Sequence, residues 1–185
     1  LEAPQYPEGL GMRIRFNTIE GAKEINLETI NHLNHYIGMR VIEPADMPEL
    51  AYMSWIVIAI AVTGLGAAAI GRRGALYTWA GIFAASGIAG MADFWWRTYT
   101  FGHTLDLKHA AIQIPGLAYQ PPLIGVKQIA NFTASAWPAS GGIVIGLAAL
   151  LTGVAVWRAF RDTTARGVLS SPRGGAVSAP APAAA

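Results

Sequence analysis

The sequence contains no cysteine. That absence excludes disulfides, thiolate metal sites, iron–sulfur clusters and cysteine catalysis together. Charge is scarce as well. Charged residues make up 13% of the chain, about half of the roughly 25% usual for soluble domains. No G-x-S-x-G, HExxH or P-loop motif occurs, and Ser135 and Ser140 have no histidine at a recognisable spacing. The chain is therefore not expected to be an enzyme. Net charge is only +2, and no basic patch interleaves with aromatics, so nucleic acid is not an expected partner. The 21 glycines and 11 prolines follow no G-X-Y period, which excludes a collagen-like fold. The first residue is Leu1, not Met, which leaves room upstream for a cleaved signal peptide or an N-terminal anchor.

What the chain has in abundance is apolar sequence: 53% of its 185 residues are hydrophobic and its mean hydropathy is +0.38. Three stretches are long and apolar enough to cross a bilayer, which takes about 20 helical residues. They run over 51–71, 75–96 and 137–157. Only Asp93 interrupts them with an ionisable group, and it lies near the end of the second. A helix satisfies every backbone polar group within one segment, so these stretches are expected to be helical. The six tryptophans, at positions 55, 79, 95, 96, 137 and 157, all fall toward span ends. With Tyr52, Tyr77 and Tyr99 they read as an aromatic belt at the head groups.

The basic residues supply an orientation. The turn 72–74 and the segment after 157 hold six arginines and one acid, Asp162, for a balance of +5. The segments on the other side hold seven Lys/Arg and ten Asp/Glu, for a balance of −3. Short basic loops stay cytoplasmic, so residues 1–50 and the loop 97–136 are expected to be periplasmic in a bacterial inner membrane. The tail 158–185 is then cytoplasmic. It is Ala/Pro-rich and from Arg166 too poor in apolar residues to fold alone.

The external segments carry secondary-structure signals. Met12, Ile14 and Phe16 alternate with polar residues, as in a strand. Asn26 is placed to cap a short helix whose apolar face is Leu27, Ile30, Leu33 and Ile37, ending near Gly38. A second short strand is expected around Ile112–Ile114, a turn at Tyr119–Pro122, and an interfacial helix over Leu123–Phe132. The fold class expected is an all-α membrane bundle of three transmembrane helices with a small mixed α+β periplasmic cap. The cap is built from the N-terminal segment and the 97–136 loop.

All four histidines fall on the external side. His32 and His35 share a helix face, with Met39 nearby if the helix continues, and imidazole plus thioether suits copper. His103 and His109 flank Asp106 as a second candidate ligand cluster. These five residues are the candidate metal set; no other cofactor is indicated. Exposed histidines on polar helix faces are also common without any metal. Asp93 and Arg97 are four apart in the favourable order for a helical ion pair. Gly142, Gly146, Ala149 and Gly153 line one face of the third span, a surface that allows another helix close approach.

The runs LEAPQYPEGLGM (1–12), INHLNHYIGM (30–39), DFWWRTYTFGHTLDL (93–107) and YQPPLIGVKQIANFTASAWPASGG (119–142) resemble a poorly characterised family of bacterial polytopic membrane proteins. Its members are often encoded beside accessory genes for nitrous-oxide reductase, including its copper chaperone. They usually carry a further hydrophobic segment before the first run. The resemblance implies a role around a copper-dependent or electron-transfer membrane system. The expected function is a non-catalytic accessory subunit that docks on, stabilises or assembles a photosynthetic or respiratory electron-transfer complex. Its expected partners are other integral membrane subunits and the lipid bilayer. The alternative is a periplasm-facing copper-delivery protein for a copper-dependent reductase.

Overall fold

The structure is a computed structural model and describes residues 1–112, 118–129 and 131–169, with side chains to 162. In chain order it contains β1 (Met12–Ile14), β2 (Ile19–Gly21), α1 (Asn26–Tyr36), a 3-10 turn (Pro44–Asp46), α2 (Pro48–Ile70), α3 (Arg73–His103), β3 (Gly125–Ile129), β4 (Phe132–Ala136) and α4 (Ser140–Leu169). Helices α2, α3 and α4 each carry a stretch long and apolar enough to cross a membrane, and no residue of those stretches is buried by the chain itself.

Helix α2 starts on Pro48, whose missing N–H costs nothing in a first turn. It stops at Gly71, which takes φ +64° and lets the chain reverse into Arg72. Helix α3 therefore runs back along α2. The two lock together where Trp79 Nε1 donates to the Ile60 carbonyl at 3.1 Å. Glycine is required opposite that ring, because a Cβ on Gly64 would lie 2.8 Å from it. Trp79 is thus a helix–helix contact, not the belt residue its position suggested. The remaining belt aromatics, Tyr52, Trp55, Tyr77, Trp95, Trp96, Tyr99, Trp137 and Trp157, are exposed.

At 31 residues, α3 is about 46 Å long and overruns the expected span end at 96. No glycine or proline interrupts residues 92–101, and an aromatic ladder supports the extra turns. Trp95 stacks on Tyr99 at 5.3 Å, and Tyr99 on His103 at 3.9 Å. The helix ends where Gly102 meets the 119–120 segment. Tyr119 N–H donates to the Gly102 carbonyl at 3.0 Å, and a Cβ on Gly102 would lie 2.5 Å from the Gln120 backbone. Helix α4 begins at Ser140, just after Pro138, rather than at Trp137. It continues past the expected boundary at 157, through Arg158, Arg161 and the position of Arg166 to Leu169. Asp162 on α4 lies 3.8 Å from Arg73 at the start of α3, which ties the two helices at the end away from the cap. Arg173 and the rest of the expected tail lie outside the described residues.

The N-terminal segment and the loop fold on each other at the other end. Glu2 and Thr133 exchange two backbone hydrogen bonds of 2.9 Å, so the N-terminus extends the β3–β4 hairpin. Tyr119, Ile129 and Ala134 form the buried centre, with Leu1, Ile37, Met39 and Leu105 packed around it. Hairpin β1–β2 pairs Met12 with Gly21 and Ile14 with Ile19, and α1 lies beside it. Gly38 stops α1 with φ +76°; its carbonyl accepts from Asp106 N–H at 2.8 Å.

Two local expectations are corrected, and a third falls mostly outside the described residues. The segment Leu123–Phe132 is not an interfacial helix. Residues 125–136 form an antiparallel hairpin with Val126 opposite Ser135 and Ile129 opposite Phe132. Ile129 and Ala134 share the hairpin face that enters the core, while Val126 and Ser135 lie on the other face and stay exposed. Asn26 does not cap α1: Ile25 occupies the N-cap with helical angles, and Asn26 is the buried first helical residue. On the apolar face of that helix Ile30 is buried and Leu27, Leu33 and Ile37 are half-buried, as the spacing requires. The strand expected around Ile112–Ile114 falls mostly outside the described residues. Ile112 itself is a bend whose N–H donates to the Tyr36 carbonyl.

Candidate functional site

The five candidate metal ligands are dispersed. His32 and His35 are exposed on α1, and the nearest acid to His32 is Glu28 at 3.8 Å. Met39 is drawn away from them. Its N–H donates to the Asn34 carbonyl, and its side chain packs on the cap core. His103 stacks on Tyr99, with Nδ1 2.9 Å from the Tyr99 carbonyl. His109 Nδ1 is 2.7 Å from Asp106 Oδ2. That hydrogen bond holds the Asp106 carboxyl below its usual range, helped by the Lys108 backbone N–H. Among the described residues no three His, Asp or Glu side chains gather as a metal site would require.

The helix pair expected between Asp93 and Arg97 does not form. Arg97 Nη2 bonds Glu49 Oε2 at 2.5 Å instead, joining the last turns of α3 to the first turn of α2. The partner is 48 residues away in sequence, so no local spacing rule could find it. Asp93 stays exposed on α3 and has no ion-pair partner among the described residues. It lies about 30 Å along the helix from Arg73. The stretch from Arg73 to Asp93 is thus as long as the hydrocarbon layer is thick. The small-residue face of α4 is likewise uncovered. Gly142, Gly146, Ala149 and Gly153 are exposed, and among the described residues nothing approaches the Cβ positions of Gly146 or Gly153 within 4 Å.

One cleft opens beside the Glu49–Arg97 pair. It has a volume of about 330 Å³ and is lined by Arg40, Val41, Glu43, Asp46, Met47, Arg97 and Phe101. Sequence analysis assigned no site to the 40–47 segment, which it counted only as part of the external residues 1–50. Its shape is nevertheless set. Asn31 grips Ile42 twice, donating to its carbonyl at 3.2 Å and accepting from its N–H at 2.8 Å. Asn34 Nδ2 lies 3.4 Å from the Arg40 carbonyl, and the 3-10 turn follows. The signal available beforehand was the cluster Arg40, Glu43, Asp46 and Glu49 immediately before a charge-free run.

Comparison of the chain with models of protein families, with curated proteins and with solved structures gives no match.

Proposed function

We propose that the protein is a non-catalytic accessory subunit of a membrane electron-transfer complex, respiratory or photosynthetic. It docks through its membrane helices and stabilises or helps assemble that complex. The observation carrying this reading is Asp93, an exposed carboxylate placed at the lipid boundary, with no ion-pair partner among the described residues. At that level a cation on a neighbouring subunit can pair with it, and ionisable residues of membrane helices characteristically face a partner or a water-filled space. The uncovered small-residue face of α4 supports the same reading, since such faces let helices approach closely. The electron-transfer context rests on the family resemblance of the four sequence runs. The arginine distribution supports a bacterial inner-membrane location with the cap periplasmic and the α4 end cytoplasmic.

Purification from native membranes in a gentle detergent tests this. The expected result is co-migration with a large haem- or pigment-bearing complex. A lone protein carrying stoichiometric copper, lost on combining His32→Ala with His35→Ala, would overturn it in favour of copper delivery. Reporter fusions at Gly74 and Arg166 are expected to report cytoplasm.

A further inference from the structure

We propose that the cleft between the 40–47 segment and the end of α3 binds the head group of a zwitterionic phospholipid bearing a phosphodiester and a primary ammonium. The inference needs only that α2 and α3 cross a bilayer, and it is independent of the accessory-subunit reading. Position is the first argument. The cleft lies at the outer ends of α2 and α3, just beyond the exposed belt residues Tyr52, Trp55, Trp95, Trp96 and Tyr99. Those rings settle at the head-group level, so the cleft opens where head groups are dense.

Charge is the second argument. The lining carries both signs, Arg40 and Arg97 against Glu43 and Asp46. Arg40, Glu43 and Asp46 have no ion-pair partner among the described residues. Arg97 spends one N–H on Glu49, while a guanidinium has five to offer. Arginine forks suit phosphate oxygens, and carboxylates accept from an ammonium N–H. A purely anionic head group would meet Glu43 and Asp46 unfavourably. A quaternary ammonium has no N–H to give those carboxylates, and Phe101 alone is no aromatic cage. The third argument is the remaining lining. Val41, Met47 and Phe101 give the glycerol and the first acyl carbons an apolar surface. The volume is at the small end of the roughly 300–1,000 Å³ of ligand pockets, which suits a head group rather than a large ring cofactor.

The test is native mass spectrometry of the full chain released from nanodiscs containing equal amounts of phosphatidylethanolamine, phosphatidylglycerol and phosphatidylcholine. Phosphatidylethanolamine is expected to be retained at least threefold over either competitor. Arg40→Ala should bring its retention down to the phosphatidylcholine level. Glu43→Gln with Asp46→Asn should abolish the preference over phosphatidylglycerol while leaving total phospholipid retention unchanged. A photoreactive phosphatidylethanolamine on the unmutated protein should label residues 40–47 or 97–101. Equal retention of the three lipids, labelling elsewhere, or an Arg40→Ala variant that folds and binds unchanged would overturn the proposal. Displacement of the lipid by soluble glycerophosphoethanolamine at equal concentration would assign the cleft to a free phosphoester instead. Cross-linking of Arg40→Cys to another membrane protein, with no lipid retained, would assign it to a protein partner.

Discussion

The cap and the membrane helices solve opposite problems. The cap buries its own side chains: Tyr119, Ile129 and Ala134 close a small core, and Leu10, Ile19, Ile30 and Ala110 are buried elsewhere in the cap. The apolar stretches of the three long helices bury nothing. Inside a bilayer that exposure costs little, because lipid tails are as apolar as the side chains that face them. The difference separates two meanings of glycine. Cap glycines are demanded by backbone geometry and close approach, whereas most span glycines look onto open space.

This contrast can be broken at single residues. Gly38→Val places a β-branched residue at φ +76° with its Cβ about 2.6 Å from the Asp106 carbonyl oxygen. Left-handed strain and overpacking together are expected to cost about 2–4 kcal/mol. The cap should become protease-sensitive while the three helices still insert. Gly146→Leu, by contrast, meets nothing within 4 Å, and stability of the isolated protein is expected to stay within about 0.5 kcal/mol. A large loss there would mean that the α4 face is packed within the chain.

The next largest effect belongs to a place where two spans pack on each other. Trp79→Ala removes the hydrogen bond to Ile60 and the ring over Gly64, and is expected to cost about 1–3 kcal/mol. Equilibrium unfolding in mixed micelles measures it. Trp96→Ala, at an exposed belt position, should cost clearly less. Arg97→Ala comes after these. The Glu49–Arg97 pair is only partly shielded, and its removal is expected to cost about 1 kcal/mol.

The smallest effect is a pH dependence confined to the cap. Lys23 holds the Glu8 carboxyl below its ordinary value of 4.5, and His109 does the same for Asp106 below 3.8. A carboxyl lowered in the folded state stabilises fully above its unfolded pKa, and that contribution disappears as pH falls through the folded one. The cap's unfolding midpoint should therefore be insensitive to these pairs from pH 5 to 7 and decline below about pH 4.5. Lys23→Met should remove the Glu8 part of the decline. Both acids are exposed, so salt should flatten the profile further.

The spans were legible because a charge-free run of 20 residues has few other uses. α1 was legible because Ile30 and its neighbours repeat at helical spacing. The hairpin was not: in Val126-Lys127-Gln128-Ile129 the apolar residues lie three apart, a helical spacing, and the nearby span reinforced that reading. Other features had no local signal. The Arg97–Glu49 pair, the seating of Trp79 on Ile60 and the withdrawal of Met39 into the cap each depend on chain segments brought together only by the fold. The histidines illustrate the same limit. Their spacing put His32 and His35 on one face, but a ligand set needs a third group, and the cap core had claimed Met39.

The central claim is that the uncovered membrane-facing groups meet other subunits, and Asp93→Leu tests it most directly. Leucine suits lipid better than a carboxylate does, so the variant should insert and fold at least as well as the unaltered protein. The account predicts that Asp93→Leu inserted in native membranes no longer co-migrates with the electron-transfer complex after gentle-detergent extraction. Undiminished co-migration of the variant would contradict it.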